Sequence, residues 1–257
     1  MEALIFDSHA HYDDSAFDSD REELLALLPQ KGVCHVINAG ASLKGSAASI
    51  ALAEKYPYFH AAAGVHPEDA GNLPADWLEQ LGRFLDHPKV VAVGEIGLDY
   101  HYEDACPREV QQQVFEAQLR LARERDLPVI VHDREAHGDT MALLRKYRPR
   151  GVVHCFSGSA EMAREVVALG MYVGLGGVVT FKNAKHPLEV AAAVPLERIL
   201  NETDAPYMAP VPFRGKRCDS TMIPWSAAKI GEIKGVSAQE VLAQGCRNAA
   251  ALFGIAL

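Results

Sequence analysis

Short apolar runs rich in β-branched residues alternate along this chain with longer segments of helical period. In the segment 107–126, Val110, Val114 and Leu121 recur at helical spacing. That segment begins at Pro107, a residue that suits the first turn of a helix. The apolar runs predict eight strands, near residues 3–7, 33–39, 59–64, 89–95, 128–132, 151–155, 171–176 and 199–204.

Eight strands with intervening helices predict a parallel α/β architecture, and the stretch 222–254 is interpreted as two closing helices. The main alternative is an open doubly wound sheet, which normally has a G-x-G-x-x-G turn after an early strand. Such a turn does not follow the first strand, and Gly174, Gly176 and Gly177 lie late and lack that spacing. We therefore predict a (β/α)₈ TIM barrel that occupies residues 1–257 as a single domain.

Composition narrows the function classes. A length of 257 residues suits one barrel domain, and a formal charge of −9 argues against a duplex binder with a broad basic face. A nucleic-acid substrate is still compatible with that charge if bound cations and a few local arginines reverse the sign inside one cleft.

The compartment prediction uses the amino terminus and the cysteines. The first residues lack the basic and apolar regions of a signal peptide, and no apolar run approaches the roughly 20 residues that span a bilayer. The five cysteines are scattered and form no C-x-x-C pair, as is usual for reduced thiols. We expect a cytoplasmic protein without membrane association, and the sequence indicates no obligate protein partner.

Imidazole and carboxylate side chains follow the ends of five predicted strands. A lone histidine at such a place is usually structural, but barrel active sites lie at the carboxyl ends of the strands, where these side chains converge. Side chains two apart on a strand share a face, so the first two of these residues can reach one metal ion. The set is His9, His11, Glu95, His132, His154 and Asp204.

These residues predict two divalent ions, which Mg²⁺, Mn²⁺ or Zn²⁺ could provide. Glu95 lies centrally and can offer one oxygen to each ion. His9, His11 and Asp204 would complete the first site. His132 and His154 would complete the second. A water activated by two metals is a strong nucleophile, and Asp204 could take its proton.

Five motifs, in order along the chain, resemble the TatD family of metal-dependent deoxyribonucleases, within the wider amidohydrolase-type barrels. The resemblance implies the same barrel, the same two ligand sets and hydrolysis of phosphodiester bonds. The usual substrate of the family is DNA, often attacked as a single strand from its 3′ end. The motifs are Asp7-Ser8-His9-Ala10-His11, Gly64-Val65-His66-Pro67, Gly94-Glu95-Ile96-Gly97-Leu98-Asp99-Tyr100, His154-Cys155-Phe156-Ser157-Gly158 and Glu202-Thr203-Asp204-Ala205-Pro206-Tyr207.

Four further residues are candidates for holding the substrate. By resemblance His66 faces the cleft and touches a substrate phosphate, although a structural turn histidine is the alternative. Arg134 shares a strand face with His132 and could clamp a phosphate, unless it pairs with a carboxylate. Arg214 and Lys216 could guide a phosphate backbone or form a plain solvated loop.

The chain departs from the family after this basic run, where relatives usually have Asn-Glu-Pro and this sequence has Cys218-Asp219-Ser220. The departure affects the expected substrate contacts and leaves the metal ligands unchanged. Asp99 and Tyr100 are expected to shape the loop after Glu95, with no assigned chemistry.

Two other functions are compatible with the sequence. The same metals could hydrolyse another bond, such as an aminoacyl ester on tRNA or a cyclic amide, because barrels change substrate by replacing loops. A non-catalytic metal-binding protein on a decayed barrel is the third reading. Decay would first remove a ligand or the acid after strand eight, and all of them are present.

Overall fold

The computed structural model describes residues 5–102 and 106–257, so the first two residues of the predicted strand 3–7 lie outside the described part. One sheet contains the strands in sequence order, and each strand pairs in parallel with the next. The strands are β1 (Ile5–Ala10), β2 (Val33–Ala39), β3 (Phe59–Ala63), β4 (Val90–Asp99), β5 (Val129–Arg134), β6 (Gly151–Val153), β7 (Tyr172–Leu175) and β8 (Ile199–Asn201).

Helices follow the strands in alternation, and the two at the carboxyl end match the prediction for 222–254. Across 5–102 and 106–257, no helix has both the length and the apolar character needed to cross a membrane. The helices are α1 (Arg21–Leu27), α2 (Leu43–Lys55), α3 (Trp77–Leu85), α4 (Arg108–Glu124), α5 (His137–Tyr147), α6 (Ala160–Ala168), α7 (Lys185–Ala193), α8 (Ile223–Lys234) and α9 (Ala238–Phe253).

The sheet closes on itself where β1 meets the segment after β8. Ala10 and Ala205 form a parallel bridge between these segments. The amide of Asp204 donates to the carbonyl of His9 at 2.9 Å, and the amide of His11 donates to the carbonyl of Ala205 at 2.7 Å. The predicted (β/α)₈ barrel is confirmed, and its closing bonds join two segments that carry predicted site residues.

Only β2 ends at the predicted residue: β1, β4 and β5 continue further, and β3, β6, β7 and β8 end earlier. β4 continues to Asp99, because its last residue pairs with Arg134 of β5. β6 and β8 end early, so His154 lies just beyond its strand. Near these ends Cys155 and Asp204 have φ values of 42° and 59°, a left-handed backbone that an extended strand cannot contain.

The barrel interior is apolar towards the amino ends of the strands and polar towards their carboxyl ends. A buried apolar cluster takes one side chain from each of seven strands and continues onto α9, where Phe253 stacks on Phe6. Its strand members are Phe6, Ile37, Ala62, Ala92, Ile130, Val152 and Leu200. Because side chains two apart share a face, the residues two positions after the last three continue the same interior wall upward. Those residues are His132, His154 and Glu202.

Two strands carry irregularities that turn polar side chains inward. The register of β1 shifts between Asp7 and Ala10, and the register of β4 shifts between Val93 and Ile96. His9 and Glu95 lie inside these intervals, each three residues after an interior apolar residue of its strand. A regular pleat would send them to the opposite face, whereas an irregularity of this kind can re-aim a side chain.

Gly97 is the tightest point between β4 and β5, and its replacement tests this packing. Its φ is +150°, and a Cβ added there would lie 1.9 Å from the carbonyl oxygen of His132. We expect Gly97→Ala to lower the free energy of unfolding by about 2–4 kcal/mol, measured by urea denaturation. In the control Gly138→Ala, nothing lies within 4 Å of the added methyl group, and stability should be unchanged or slightly higher. Equal stability of the two variants would contradict the close approach.

Candidate metal centre at the carboxyl ends of the strands

Three of the predicted side chains, His9, His11 and Asp204, meet on one side of Glu95. The Nε2 atoms of His9 and His11 lie 3.0 Å apart. Oε2 of Glu95 is 3.3 Å from each of these two nitrogens. Oδ1 of Asp204 lies 3.7 Å from Nε2 of His9 and 3.5 Å from Nε2 of His11. Two imidazoles and two carboxylates therefore aim their polar atoms at one small volume.

The other oxygen of Glu95 faces a second pair of imidazoles. Oε1 is 2.9 Å from Nδ1 of His132 and 2.6 Å from Nε2 of His154. These two nitrogens are 3.3 Å apart. The structure thus brings all six predicted residues together, and Glu95 stands between two groups of nitrogen atoms.

Hydrogen bonds outside the cluster fix the proton on two of the rings. Nδ1 of His11 lies 2.8 Å from the carbonyl oxygen of Ala39, which can only accept, so Nδ1–H is the donor. Nε2 of His132 lies 3.0 Å from Oδ2 of Asp99, which fixes the opposite tautomer. In their neutral forms, both rings then present an unprotonated nitrogen to Glu95.

Asp99 therefore has a role that the sequence analysis did not assign. Its carboxylate is buried and orients His132, and it also accepts the amide of His101 at 2.9 Å. The signal is spacing, because residues 95 and 99 would share a face if the strand continued. That continuation depends on pairing with β5, which the local sequence does not reveal.

The two carboxylates of the cluster are ionised. Burial alone would raise the pKa of Glu95, but the neighbouring imidazoles, His154 first, hold that pKa well below its usual range. Burial also opposes ionisation of Asp204, but the hydrogen bond with His11 and the charges of His154, His9 and His11 together outweigh it and lower the pKa. The same contacts raise the pKa values of His11, His132 and His154, so the two carboxylates are held by positive charge that a bound metal ion could replace.

His66 stands beside the cluster with a different proton arrangement. The amide of Glu68 donates to its Nδ1 at 3.3 Å, so the neutral ring has its proton on Nε2. That nitrogen lies 3.6 Å from Oε1 of Glu95, and the ring meets His132 edge-on at 4.4 Å between centroids. Burial lowers the pKa of His66 to about 3, so the ring is a neutral hydrogen-bond donor at the rim.

The predicted cationic residues lie in different surroundings. Arg134 is partly buried, donates to the hydroxyl of Tyr102 at 3.3 Å and helps to lower the pKa of Asp99. Arg214 is exposed, with its guanidinium 3.8 Å from the centre of the Phe181 ring. Lys216 is exposed as well. Of the three, Arg134 is the one with a described interaction with a residue beside the cluster.

The atypical Cys218-Asp219-Ser220 segment is built into the scaffold. The hydroxyl of Ser220 donates to Oδ2 of Asp7 at 2.7 Å and lies 2.7 Å from the hydroxyl of Tyr12. Asp7 also accepts the hydroxyl of Thr203 at 2.7 Å, which ties β1 to the segment after β8. The amide of Cys218 donates to the carbonyl of Pro206 at 2.9 Å. Ser220, which departs from the family pattern, thus has a structural role, because it binds Asp7, two residues before His9.

Comparison with known proteins agrees with this geometry. A family model described as TatD related DNase matches residues 6–254. The uncharacterized metal-dependent hydrolase YabD of Bacillus subtilis is 38% identical over 98% of this chain and 100% of its own length. The 3'-5' ssDNA/RNA exonuclease TatD of Citrobacter rodentium is 35% identical over 98% of this chain and 99% of its own length.

A solved structure gives the same answer for the fold. The crystal structure of YjjV, a TatD homologue from Escherichia coli K12, superposes with a TM-score of 0.93, at 36% identity and with complete coverage of both chains. Fold, motifs and relatives agree over almost the whole length. The chain belongs to the TatD-related DNase family and is a metal-dependent hydrolase.

Proposed function

We propose that this protein hydrolyses phosphodiester bonds of single-stranded DNA with two divalent metal ions. The proposal rests on the two carboxylate oxygens of Glu95. Oε2 faces the imidazole nitrogens of His9 and His11, and Oε1 faces those of His132 and His154. His9, His11 and Asp204 would hold the first ion with Oε2 of Glu95. His132 and His154 would hold the second with Oε1.

The residues fit such ions by their chemistry. The fixed tautomers of His11 and His132 leave lone pairs aimed at Glu95, and the ionised carboxylates offset positive charge. Imidazole with carboxylate accepts Mg²⁺, Mn²⁺ or Zn²⁺, so all three are candidates. When bound, such ions supply Lewis acidity towards a phosphate ester and lower the pKa of a coordinated water.

The protein side chains divide the remaining work. The side chain of Asp204 is 16% exposed and that of Glu95 is 4% exposed, so Asp204 is the carboxylate that reaches the cleft. We assign Asp204 as the acceptor of the proton from the attacking water. Nε2–H of His66 and the guanidinium of Arg134 would hold non-bridging phosphate oxygens.

These two donors favour a phosphodiester over the alternative substrates, an aminoacyl ester on tRNA or a cyclic amide. With a net charge of −9, attraction of a polyanion must come from the ions and from local cations such as Arg214 and Lys216. The name of the Citrobacter rodentium relative supports attack from the 3′ end. The five cysteines are scattered along the sequence without a C-x-x-C pair, which supports a cytoplasmic location.

The proposed function is tested by incubating metal-stripped protein with end-labelled single-stranded DNA and Mg²⁺, Mn²⁺ or Zn²⁺ in turn. We expect metal-dependent shortening from the 3′ end. Asp204→Asn should lower the rate at least about 100-fold while most metal stays bound, because the proton acceptor is lost and three ligands remain. Asp76→Asn, at an exposed carboxylate before α3, should leave the rate unchanged. A near-normal rate in Asp204→Asn would remove Asp204 from the mechanism.

The absence of cleavage by metal-loaded, unaltered protein would retain the metal centre and overturn the nuclease. Esters and amides would then be the substrates to test. Cleavage that persists after the metal is removed would overturn the role of the ions.

Asp99→Asn should weaken the second ion site by about 10- to 100-fold, because His132 loses its charged hydrogen-bond acceptor. Chelator competition followed by metal analysis measures the affinity. The matched control is Asp139→Asn, since Asp139 accepts hydrogen bonds from Tyr100 and Gln112 and makes none with His132. Equal metal affinity in Asp99→Asn and the control would contradict the orienting role.

Arg214→Ala combined with Lys216→Ala should raise KM for single-stranded DNA by about 3- to 10-fold and reduce its salt dependence, with kcat little changed. The control removes two cations that pair with carboxylates on α1 and α3, in Lys55→Ala with Arg83→Ala. If both double variants have the same KM, the Arg214–Lys216 loop is only solvated.

A further inference from the structure

Four buried side-chain atoms within 5–102 and 106–257 lack a hydrogen-bond partner. They are Ser8 Oγ, His9 Nδ1, His154 Nδ1 and Glu202 Oε2. Buried polar atoms without partners are rare in folded proteins, and each one needs a physical explanation. All four belong to segments at the upper end of the barrel.

Contacts place the side chains of His9, His154 and Glu202 in one neighbourhood inside the barrel. The rings of His9 and His154 are stacked, with centroids 3.9 Å apart and planes 9° from parallel. Oε1 of Glu202 accepts the amide of Cys155, the residue after His154, at 2.5 Å. Ser8 precedes His9 in the chain, within the interval where the register of β1 shifts, and its side chain is buried.

Gly174 of β7 leaves the space that the Glu202 carboxyl group fills. A Cβ at position 174 would lie 2.2 Å from Oε2 of Glu202. The carboxyl group therefore occupies the place beside β7 that a side chain at position 174 would take, and only 2% of the residue is exposed.

The position of the proton on each of the four histidines His9, His11, His132 and His154 suggests a function for the four atoms without partners. This step rests on the proposed metal centre. His9 and His154 direct Nε2 towards Glu95, so Nδ1 of each carries the proton when Nε2 binds a metal ion. The equivalent N–H groups of His11 and His132 have acceptors in Ala39 and Asp99. Those of His9 and His154 have none, and Oε2 of Glu202 and Oγ of Ser8 likewise have no partner among the described residues.

We propose that one buried water molecule joins these four atoms and that Glu202 positions His154 through it. The water accepts the Nδ1–H groups of His9 and His154 and donates to Oε2 of Glu202 and to Oγ of Ser8. Two accepted and two donated hydrogen bonds are the full complement of a water molecule, which typically makes two to four inside a protein. The water and Glu202 thus do for His154 what Asp99 does directly for His132.

The first test measures Co²⁺ affinity by chelator competition in Glu202→Gln, Glu202→Asp and Glu189→Gln. Glu202→Gln replaces the acceptor with an NH₂ donor, because Oε1 must still accept the amide of Cys155. We expect about 10- to 100-fold weaker binding of one ion in Glu202→Gln and a smaller loss in Glu202→Asp. Glu189 is a surface residue of α7, and its variant should bind as the unaltered protein does.

A spectroscopic readout separates positioning from general destabilisation. In Zn²⁺-loaded protein with ¹⁵N-labelled histidine, the Nδ1 protons of His9 and His154 should exchange slowly with solvent. The exchange should become fast in Glu202→Gln and stay slow in Glu189→Gln. Unchanged Co²⁺ affinity together with unchanged exchange in Glu202→Gln would overturn the role of Glu202.

A third measurement does not depend on any variant folding. A crystal structure of the metal-loaded, unaltered protein at atomic resolution should contain a water molecule within hydrogen-bonding distance of all four atoms, and its absence would overturn the proposal. Failure of the unaltered protein to bind Co²⁺ would overturn the metal centre, and this role with it.

Discussion

The buried, ionised carboxylate of Glu95 is the constraint on which this structure depends. Only 3% of the residue is exposed, and an isolated charge at such a position would cost several kcal/mol. The imidazole rings of His11, His132 and His154, whose pKa values are raised beside it, place positive charge within 3.3 Å of its two oxygens and offset that cost. These histidines come from three parts of the chain, and only a closed barrel brings the parts to one point. The fold is therefore needed to bring these histidines to the buried carboxylate of Glu95.

Irregularities in two strands bring these side chains into the barrel interior. In β1 and in β4 the register shifts within a few residues of a central side chain, so His9 and Glu95 join an interior whose lower wall is apolar. Glycines complete the arrangement where chains approach closely, as Gly97 does against the backbone of His132. The packed apolar side chains below supply the rigidity that a site with narrow distance limits requires.

The sequence is sufficient to predict the barrel and the six clustered side chains, because each follows an apolar run and parallel strands end on one face. It is insufficient for Asp99, because β4 extends that far only through pairing with β5. It is also insufficient for Ser220, which donates to Asp7 across 213 positions of sequence. From the sequence, the departure from the family pattern at Ser220 indicates altered substrate contacts. In the structure, Ser220 instead makes a hydrogen bond with Asp7 that holds two segments of the barrel together. Long-range hydrogen bonds of this kind leave no periodic signal in the chain.

The seam between β1 and the segment after β8 has a thermodynamic consequence. Few backbone hydrogen bonds close it, and they join the segments that carry His9, His11 and Asp204. An ion held by those residues would connect β1 to the segment after β8. A barrel that opened there would lose the ion, so occupancy and closure would be linked equilibria. At a free ion concentration of 100 times Kd, that linkage would stabilise the closed barrel by about 2.7 kcal/mol. Metal supply would then affect the stability of the folded barrel as well as its activity.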